Sequence, residues 1–247
     1  MRLSRWRGWL WGYKAVSKPL MGEFREVVRG ARRVLEGIQT FGVTALPLKG
    51  KSGRAGKLSG AGGSKSDRLG PVCSKALACQ ACRLSKTRRS VVFGEGSLDA
   101  KLLFVGEGPG KEEDLQGRPF VGMAGALLSK IIQAMGLTRE QVYIANVVKC
   151  RPPMNRPPEP DEIAACRGFL ESQLSIIAPK VICALGKTAA TALLEMEASM
   201  SQMRGRTFQW KEIPVVVTFH PAYLLRNPAA KPQVWQDMQR VLALLKR

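Results

Sequence analysis

Short apolar runs alternate along the C-terminal part of the chain with segments whose apolar residues recur at helical spacing. Four of these runs have the length and the branched or aromatic composition of strands buried on both faces. The four predicted strands cover residues 102–105, 142–148, 181–185 and 213–219.

Helical patterns separate the predicted strands. The apolar face of the first helix consists of Ala124, Leu127, Leu128, Ile131, Ile132 and Met135. A second helix is predicted to begin at Asp161, and a third covers residues 234–245. Strands that alternate with helices predict an α/β domain with three layers, α/β/α, around a central four-stranded parallel sheet.

Ligands of such folds bind beyond the carboxyl ends of the strands. His220 is the only histidine of the chain and directly follows the fourth predicted strand. We therefore expect it at the functional edge, although a lone histidine is often a packed core residue. The segment after the first strand, residues 106–111, resembles a phosphate-binding P-loop. Its glycine spacing is one residue short and Glu112 replaces the required hydroxyl residue, which argues against a nucleoside triphosphatase.

The N-terminal part of the chain has a different composition. Residues 1–48 are expected to form a basic extension with an amphipathic helix at residues 23–38. Its first part, residues 1–20, is either an organelle transit peptide or a dispensable segment ahead of a second start at Met21. Residues 49–70 are rich in glycine, serine and lysine, which predicts a flexible linker. The folded domain is expected to cover residues 71–247.

The charge favours a nucleic-acid partner. The net charge is +20, and about half of this excess lies in residues 1–70. The remaining excess fits a domain that contacts phosphates. No apolar run reaches the roughly 18 residues of a membrane span, so we expect no membrane partner. Nothing marks the chain as secreted, and a cytoplasmic protein with reduced or metal-bound thiols is expected.

Four cysteines are candidate metal ligands. The six cysteines of the chain are Cys73, Cys79, Cys82, Cys150, Cys166 and Cys183. The second and third form a CxxC pair, and the fourth and fifth flank a proline-rich stretch. Four thiolates suit zinc or an iron–sulfur cluster, and a zinc ribbon would favour a second CxxC pair, which is missing. Cys73 could substitute as a ligand, whereas Cys183 lies in an apolar run and is predicted to be a buried core thiol.

Four segments together resemble the family-4 uracil-DNA glycosylases. They read GEGPGKEEDLQGRPFVGMAG, NVVKCRPPMNRPP, VICALGKTAA and FHPAYLLRN, and the similarity runs from about Cys79 to the C-terminus. The resemblance implies a monomeric enzyme that hydrolyses the N-glycosidic bond of deoxyuridine in DNA, leaves an abasic site and has no lyase activity. The chain lacks the basic, histidine-containing insert of related glycosylases that trap DNA covalently. Lys111 departs from the family pattern, because relatives often carry an acid there.

The resemblance also implies a cofactor and its ligands. The family binds a 4Fe–4S cluster through four cysteines, which match Cys79, Cys82, Cys150 and Cys166. The cluster of the family is regarded as mainly structural. The two remaining cysteines match no ligand of the family.

The resemblance implies the residues that bind the base. Phe120 would stack on the uracil ring, although it could equally be a core residue. Asn146 would bind the uracil edge, Glu113 would exclude the methyl group of thymine, and His220 would stabilise charge on uracil O2. The backbone of Gly106, Glu107 and Gly108 would lie under the same pocket. The Glu107 side chain is the candidate group for positioning the attacking water.

The segment after His220 is expected to be a loop that enters DNA. Tyr223, Leu224 and Leu225 would form an apolar wedge, and Arg226 would contact a phosphate. Core packing remains the alternative for either leucine. Two other functions stay open at this point: a non-catalytic DNA-binding protein with a zinc or iron–sulfur site, and an electron carrier.

Overall fold

A computed structural model describes residues 63–246. The basic extension, its predicted helix and most of the expected linker lie outside the described residues. Within the described part, no helix is long and apolar enough to cross a membrane.

One sheet of six strands forms the centre of the described fold. The strands are β1 (Glu95–Gly96), β2 (Leu102–Gly106), β3 (Tyr143–Asn146), β4 (Val181–Leu185), β5 (Thr207–Trp210) and β6 (Ile213–Thr218). Their order is β1-β3-β2-β4-β6-β5. The four predicted strands are the parallel centre of the sheet, whereas β1 and β5 pair antiparallel at the two edges.

The sheet therefore has two more strands than the four that the sequence predicts. The two additional strands carry little sequence signal, since β1 has two residues and β5 alternates exposed with half-buried positions. Strand β3 is also shorter than the strand predicted over residues 142–148. Beyond Asn146 the chain leaves the sheet, and the amides of Val147 and Val148 donate to the carbonyls of Gly106 and Glu107.

Eight α-helices accompany the sheet in the described part. They are α1 (Lys65–Leu77), α2 (Lys111–Gln116), α3 (Met123–Ala134), α4 (Pro160–Ile177), α5 (Lys187–Leu194), α6 (Met200–Met203), α7 (Pro221–Arg226) and α8 (Lys231–Leu245). The helices predicted from residue 124, from Asp161 and from residue 234 correspond to α3, α4 and α8.

Helices cover both faces of the sheet, as the three-layer prediction requires. Leu103 and Val105 point from β2 into one apolar cluster, which also contains buried residues of α1, α4 and α5. Leu102 and Phe104 point into a second cluster, which contains buried residues of α3, α7 and α8. Successive side chains of a strand face opposite sides, so every residue of β2 is buried.

Helix α1 corrects the expected boundary of the folded domain. Residues 65–70, which we assigned to the flexible linker, lie in this helix. A capping box between Ser64 and Asp67 starts the helix, and Leu69 is buried. Lys65 donates to the carbonyls of Leu98 and Ile177 at 3.1 and 3.0 Å, which fixes the helix to the rest of the domain.

Helix α7 corrects a second expectation, because residues 221–226 are helical rather than a loop. His220 is the N-cap residue, and Pro221 occupies the first helical position, where its missing N–H is not needed. His220 therefore lies between the end of β6 and the start of α7.

Candidate active site

A cleft of about 640 Å³ lies beyond the carboxyl ends of the parallel strands. Residues that follow β2, β3 and β6 all contribute to its wall, as expected for this class of fold. Of the residues predicted to act on a substrate, Glu107, Gly108, Glu113, Phe120, Asn146 and His220 line the cleft.

The Glu113 carboxylate organises one wall of the cleft. One of its oxygens accepts from the amides of Val121 and Gly122 at 2.8 and 2.9 Å, and the other accepts from the amide of Gly110 at 3.1 Å. These bonds hold Phe120 in a left-handed conformation with φ of 54°. Glu113 thus fixes the loop that carries Phe120, a structural contribution that its position in the sequence does not reveal.

The Phe120 ring closes the cleft from one side. It is 6% exposed, and its centroid lies 5.6 Å from that of the His220 ring. Two glycines allow this arrangement. A Cβ at Gly106 would lie 2.5 Å from the Phe120 ring and 2.4 Å from Asn146 Oδ1, and a Cβ at Gly125 would lie 1.9 Å from the Phe120 carbonyl oxygen. The predicted importance of Gly106 therefore rests on close packing beneath the cleft.

Asn146 presents an unused hydrogen-bond acceptor to the cleft. Its side chain is buried at the end of β3, and its Oδ1 has no hydrogen-bond partner in the described residues. A buried polar atom without a partner is unfavourable by about 1–3 kcal/mol. Since the residue also lines the cleft, a ligand N–H is the natural partner for this oxygen.

His220 is held in its neutral form. Burial, the largest cause, and the charge of Arg226 together lower its pKa from 6.5 to about 4, although the charge of Glu113 acts in the opposite direction. Its Nδ1 accepts a hydrogen bond from the Ala222 amide at 3.1 Å. A neutral ring whose Nδ1 accepts must carry its proton on Nε2, which leaves a donor for a ligand.

The Glu107 carboxylate is oriented by a residue for which we predicted no role. Thr188, near the start of α5, donates its hydroxyl to Glu107 Oε2. The only sequence signal for Thr188 is its place just beyond the end of β4, where functional residues of this fold class cluster.

The three residues predicted to form the apolar wedge lie in helix α7, two of them at the surface and one in the core. Tyr223, Leu225 and Arg226 are exposed and line the cleft. Leu224 is 1% exposed and packs in the apolar cluster of α3 and α8. The prediction that Leu224 contacts DNA is therefore wrong, because helical geometry turns it inward while its neighbours face outward.

The four predicted metal ligands surround a second, small cavity. Cys79, Cys82, Cys150 and Cys166 all line this four-cysteine cavity. Cys73 and Cys183 do not line it, and Cys183 is a buried thiol of β4. Among residues 63–246, no three Cys, His, Asp or Glu side chains are arranged to hold one metal ion.

The sulfur atoms of this cavity accept hydrogen bonds from nearby N–H groups. The guanidinium of Arg88 donates to Cys150 Sγ at 3.2 Å, and the Lys149 amide donates to Cys166 Sγ at 3.3 Å. Burial raises the pKa of Cys166 to about 11, although the charge of Lys149 lowers it. The Ala81 amide also donates to Cys79 Sγ at 3.5 Å. Four thiols around one cavity, three of them with N–H donors, fit an iron–sulfur cluster, whose ligands are thiolates with such contacts.

Lys149 connects the four-cysteine cavity to the cleft. Its side chain is 1% exposed, and its Nζ donates to the Asn146 carbonyl at 2.8 Å and to Gln173 Oε1 at 2.6 Å. Gln173 in turn donates to the Phe93 carbonyl and the Tyr143 hydroxyl. Burial lowers the pKa of Lys149 to about 8. A single buried side chain thus supports the strand end that carries Asn146.

Comparison with known proteins matches residues 93–239 to the Uracil DNA glycosylase superfamily. The Type-4 uracil-DNA glycosylase of Thermotoga maritima is 48% identical over 183 residues, which cover 71% of this chain and 94% of that protein. Its counterpart from Sulfurisphaera tokodaii is 43% identical over 187 residues, 72% of this chain and 85% of that protein. The Type-5 uracil-DNA glycosylase of Pyrobaculum aerophilum is 30% identical over 149 residues, 53% of this chain and 66% of that protein.

Proposed function

The chain belongs to the Uracil DNA glycosylase superfamily, and from this premise we propose that it is a monofunctional uracil-DNA glycosylase. The reaction hydrolyses the bond between uracil and deoxyribose in DNA and leaves an abasic site for base excision repair. One observation carries the assignment: Asn146, whose buried acceptor has no partner within residues 63–246, and the neutral donor His220 line a cleft that Phe120 closes.

The cleft suits a uracil base that has been turned out of the DNA stack. Its volume can hold a flat ring against Phe120. Asn146 Oδ1 would accept from uracil N3–H, and its amide group would donate to uracil O4. Cytosine presents an acceptor at N3 and a donor at C4, so both bonds would be lost in this orientation of the Asn146 amide. Glu113 would stand beside C5 of the ring and exclude the additional methyl group of thymine.

His220 would act on the leaving base. When the bond between C1′ and N1 breaks, its electron pair passes to the uracil ring and negative charge develops at O2. The Nε2–H of neutral His220 would donate to this oxygen, a contribution of roughly 3–4 kcal/mol for one well-placed donor. The sugar gains oxocarbenium character, water adds to C1′, and the proton that this water loses neutralises the departing uracil anion by way of solvent. Glu107, oriented by Thr188, is the group that would position this water.

We also propose that Cys79, Cys82, Cys150 and Cys166 hold a 4Fe–4S cluster. The support is the convergence of the four thiols on one cavity, the N–H donors to sulfur, and the similarity to type-4 relatives. When bound, the cluster would join chain segments that are far apart in sequence.

Cleavage of a fluorescent uracil-containing oligonucleotide tests the function. Strand breakage should occur only after alkali treatment, because the enzyme leaves an abasic site and has no lyase step. His220→Ala should slow uracil release by roughly 10²–10³-fold at saturating DNA. Leu77→Ala, an exposed position on α1 that does not line the cleft, serves as the control. Absence of cleavage by cluster-loaded wild-type protein would instead favour a DNA-binding protein without activity.

A further inference from the structure

Large apolar side chains are exposed around the mouth of the cleft. Six are exposed in the described part of the chain, and four of them belong to this region. We call these four the apolar rim: Met123, Met154, Tyr223 and Leu225. Met123, Tyr223 and Leu225 line the cleft, and Met154 lies between the lining residues Pro152 and Asn155. A patch of this kind, in contrast to scattered apolar residues, indicates an interaction site.

The two methionines are the most exposed members of the apolar rim. Met154 is 93% exposed and Met123 is 80% exposed. Neither was predicted from the sequence as a functional residue. They belong to separate elements, since Met123 starts α3 and Met154 lies in the proline-rich loop (residues 151–159).

The backbone of the proline-rich loop holds Met154 outward. Met154 and Asn155 are consecutive non-glycine residues in the left-handed region, with φ of 53° and 55°. Such conformations are unfavourable and persist where surrounding contacts enforce them. Here Arg151 donates to Asn155 Oδ1 at 2.8 Å, and Arg156 donates to both carboxylate oxygens of the buried Glu162 at 2.6 and 2.9 Å.

Two exposed cations, Lys111 and Arg226, accompany the apolar rim and line the same cleft. Arg156 also lines the cleft, but its guanidinium is bonded to Glu162. The acids of the lining are Glu107, Glu112 and Glu113, of which Glu107 accepts from Thr188 and Glu113 accepts from backbone amides. A surface that combines apolar side chains with cations suits a strand of nucleic acid whose bases are unstacked, because the cations contact phosphates and the apolar groups contact base faces. Methionine is flexible and polarisable, so it can pack on any of the four bases.

We propose that Met123 and Met154 bind the bases on either side of the extruded uracil, on the same strand. The inference rests on the proposed function and adds a contact that does not touch the uracil itself. With uracil in the cleft, its neighbours on the strand must cross the mouth, where the two methionines project from different elements. The contact holds the strand without reading its sequence, and it serves single-stranded and duplex substrates alike.

Equilibrium binding with altered flanking nucleotides tests the proposal. The ligand is a fluorescein-labelled single strand with one 2′-fluoro-deoxyuridine, because the electron-withdrawing fluorine slows loss of the base. A second strand carries tetrahydrofuran abasic residues on both sides of this nucleotide and keeps every phosphate. Dissociation constants are measured by fluorescence anisotropy for wild type and the double variant Met123→Ala/Met154→Ala. Leu77→Ala is the control, because it removes an exposed apolar side chain away from the cleft.

The double variant should bind the normal strand about tenfold more weakly than wild type, while the control is unchanged. On the strand with abasic neighbours, wild type should lose about the same factor, and the double variant should lose nothing further. An equal loss on both strands would overturn the proposal, because the methionines would then not act through bases. Unchanged binding by the double variant would overturn it as well.

These binding measurements, combined with the cleavage assay on a uracil-containing oligonucleotide, separate this proposal from the proposed function. Wild-type protein that releases uracil but shows no coupling between methionines and flanking bases overturns the rim contact alone. Wild-type protein that shows the coupling but releases no uracil overturns the enzymatic assignment and leaves the strand contact in place. Thermal unfolding checks that both substitutions at exposed positions leave the fold intact.

Discussion

The cleft and the four-cysteine cavity differ in how their buried polar atoms are hydrogen-bonded. In the cleft, Asn146 Oδ1 has no partner among the described residues. In the cavity, the sulfur atoms of Cys150 and Cys166 receive N–H donors from Arg88 and Lys149. The cleft therefore lowers stability until a ligand enters, whereas the cavity is supplied with partners for a group that stays. A binding site for a passing substrate and a site for a resident cofactor are thus distinguishable by their hydrogen bonds.

Burial keeps groups neutral at both sites, with different consequences. It lowers the pKa of His220 and raises the pKa of Cys166. His220 acts as a neutral donor and so needs no proton change. The thiols must lose their protons when a metal cluster binds, because the thiolate is the ligand. Cluster assembly should accordingly release protons, while the glycosylase step draws on a donor that is already in place.

The largest effect is expected at Asn146. Asn146→Leu should reduce uracil release by at least about a hundredfold, because the polar contacts to the base are lost. The free energy of unfolding should stay equal or rise by about 1 kcal/mol, since a buried acceptor without a partner disappears. Single-turnover kinetics and urea unfolding measure the two quantities. A variant that is both inactive and strongly destabilised would contradict the contrast between cleft and cavity.

Replacement of a cysteine that lines the four-cysteine cavity should mainly lower the stability of the fold, in contrast to replacement of Asn146. Cys166→Ser should lower the unfolding midpoint by roughly 10 °C through loss of cluster binding, with a loss of visible absorbance. Cys73→Ser provides the matched control, since this half-buried thiol does not line the cavity. Calorimetry and iron content distinguish the two variants. Equal effects of the two substitutions would argue against the assigned ligand set.

Neighbouring leucines of α7 should separate stability from DNA contact. Leu224→Ala removes a buried side chain and should destabilise the fold by about 2–4 kcal/mol. Leu225→Ala removes an exposed one, so stability should be unchanged while cleavage of duplex substrate falls several-fold. Denaturant unfolding and duplex cleavage assays check both. If Leu224→Ala were stable but impaired on DNA, the inward orientation of Leu224 would be refuted.

The smallest effect concerns pH. Because the folded-state pKa of His220 is about 4, below the ordinary 6.5, its neutral ring stabilises the fold fully above pH 6.5. That contribution is lost as the pH falls from 6.5 towards 4. The ratio of wild-type to His220→Gln rates should stay flat from about pH 8 to about pH 5, because the Nε2–H donor persists throughout. An inflection of this ratio near pH 6.5 would show that His220 titrates normally.

The parallel strands and main helices could be predicted because their sequence patterns are local. Buried strands such as β4 consist of consecutive apolar residues. In α3, the apolar residues recur at helical spacing. Helix α1 could not be predicted in this way. It begins in a glycine-rich stretch and contains Pro71, and contacts of Lys65 and Leu69 with distant segments stabilise it.

In the candidate site, too, features set by local sequence could be predicted, whereas features set by contacts between distant segments could not. The position of His220 follows from the end of the fourth predicted strand. Asn146 lies inside a strand that the sequence predicts to run to residue 148, so its role follows from the family resemblance and its place at a strand end from the structure. The three backbone amides bound by Glu113 and the burial of Lys149 depend on tertiary distances, so the sequence could not reveal them. The inward orientation of Leu224 is not evident from the sequence for a further reason: the short helix that starts at Pro221 has the sequence pattern of a loop.

The contact between Gly125 and Phe120 also determines where the chain can vary. A methyl group at position 125 would overlap the Phe120 carbonyl, so even alanine would displace the wall of the cleft. Met123, only two residues earlier, is 80% exposed and tolerates replacement without repacking. A randomised library over residues 120–126, selected for folding alone, should therefore recover many residues at position 123 and only glycine at position 125. Substitutions that change base preference should therefore be sought at other residues of the cleft, because even the smallest substitution at Gly125 displaces the wall that carries Phe120.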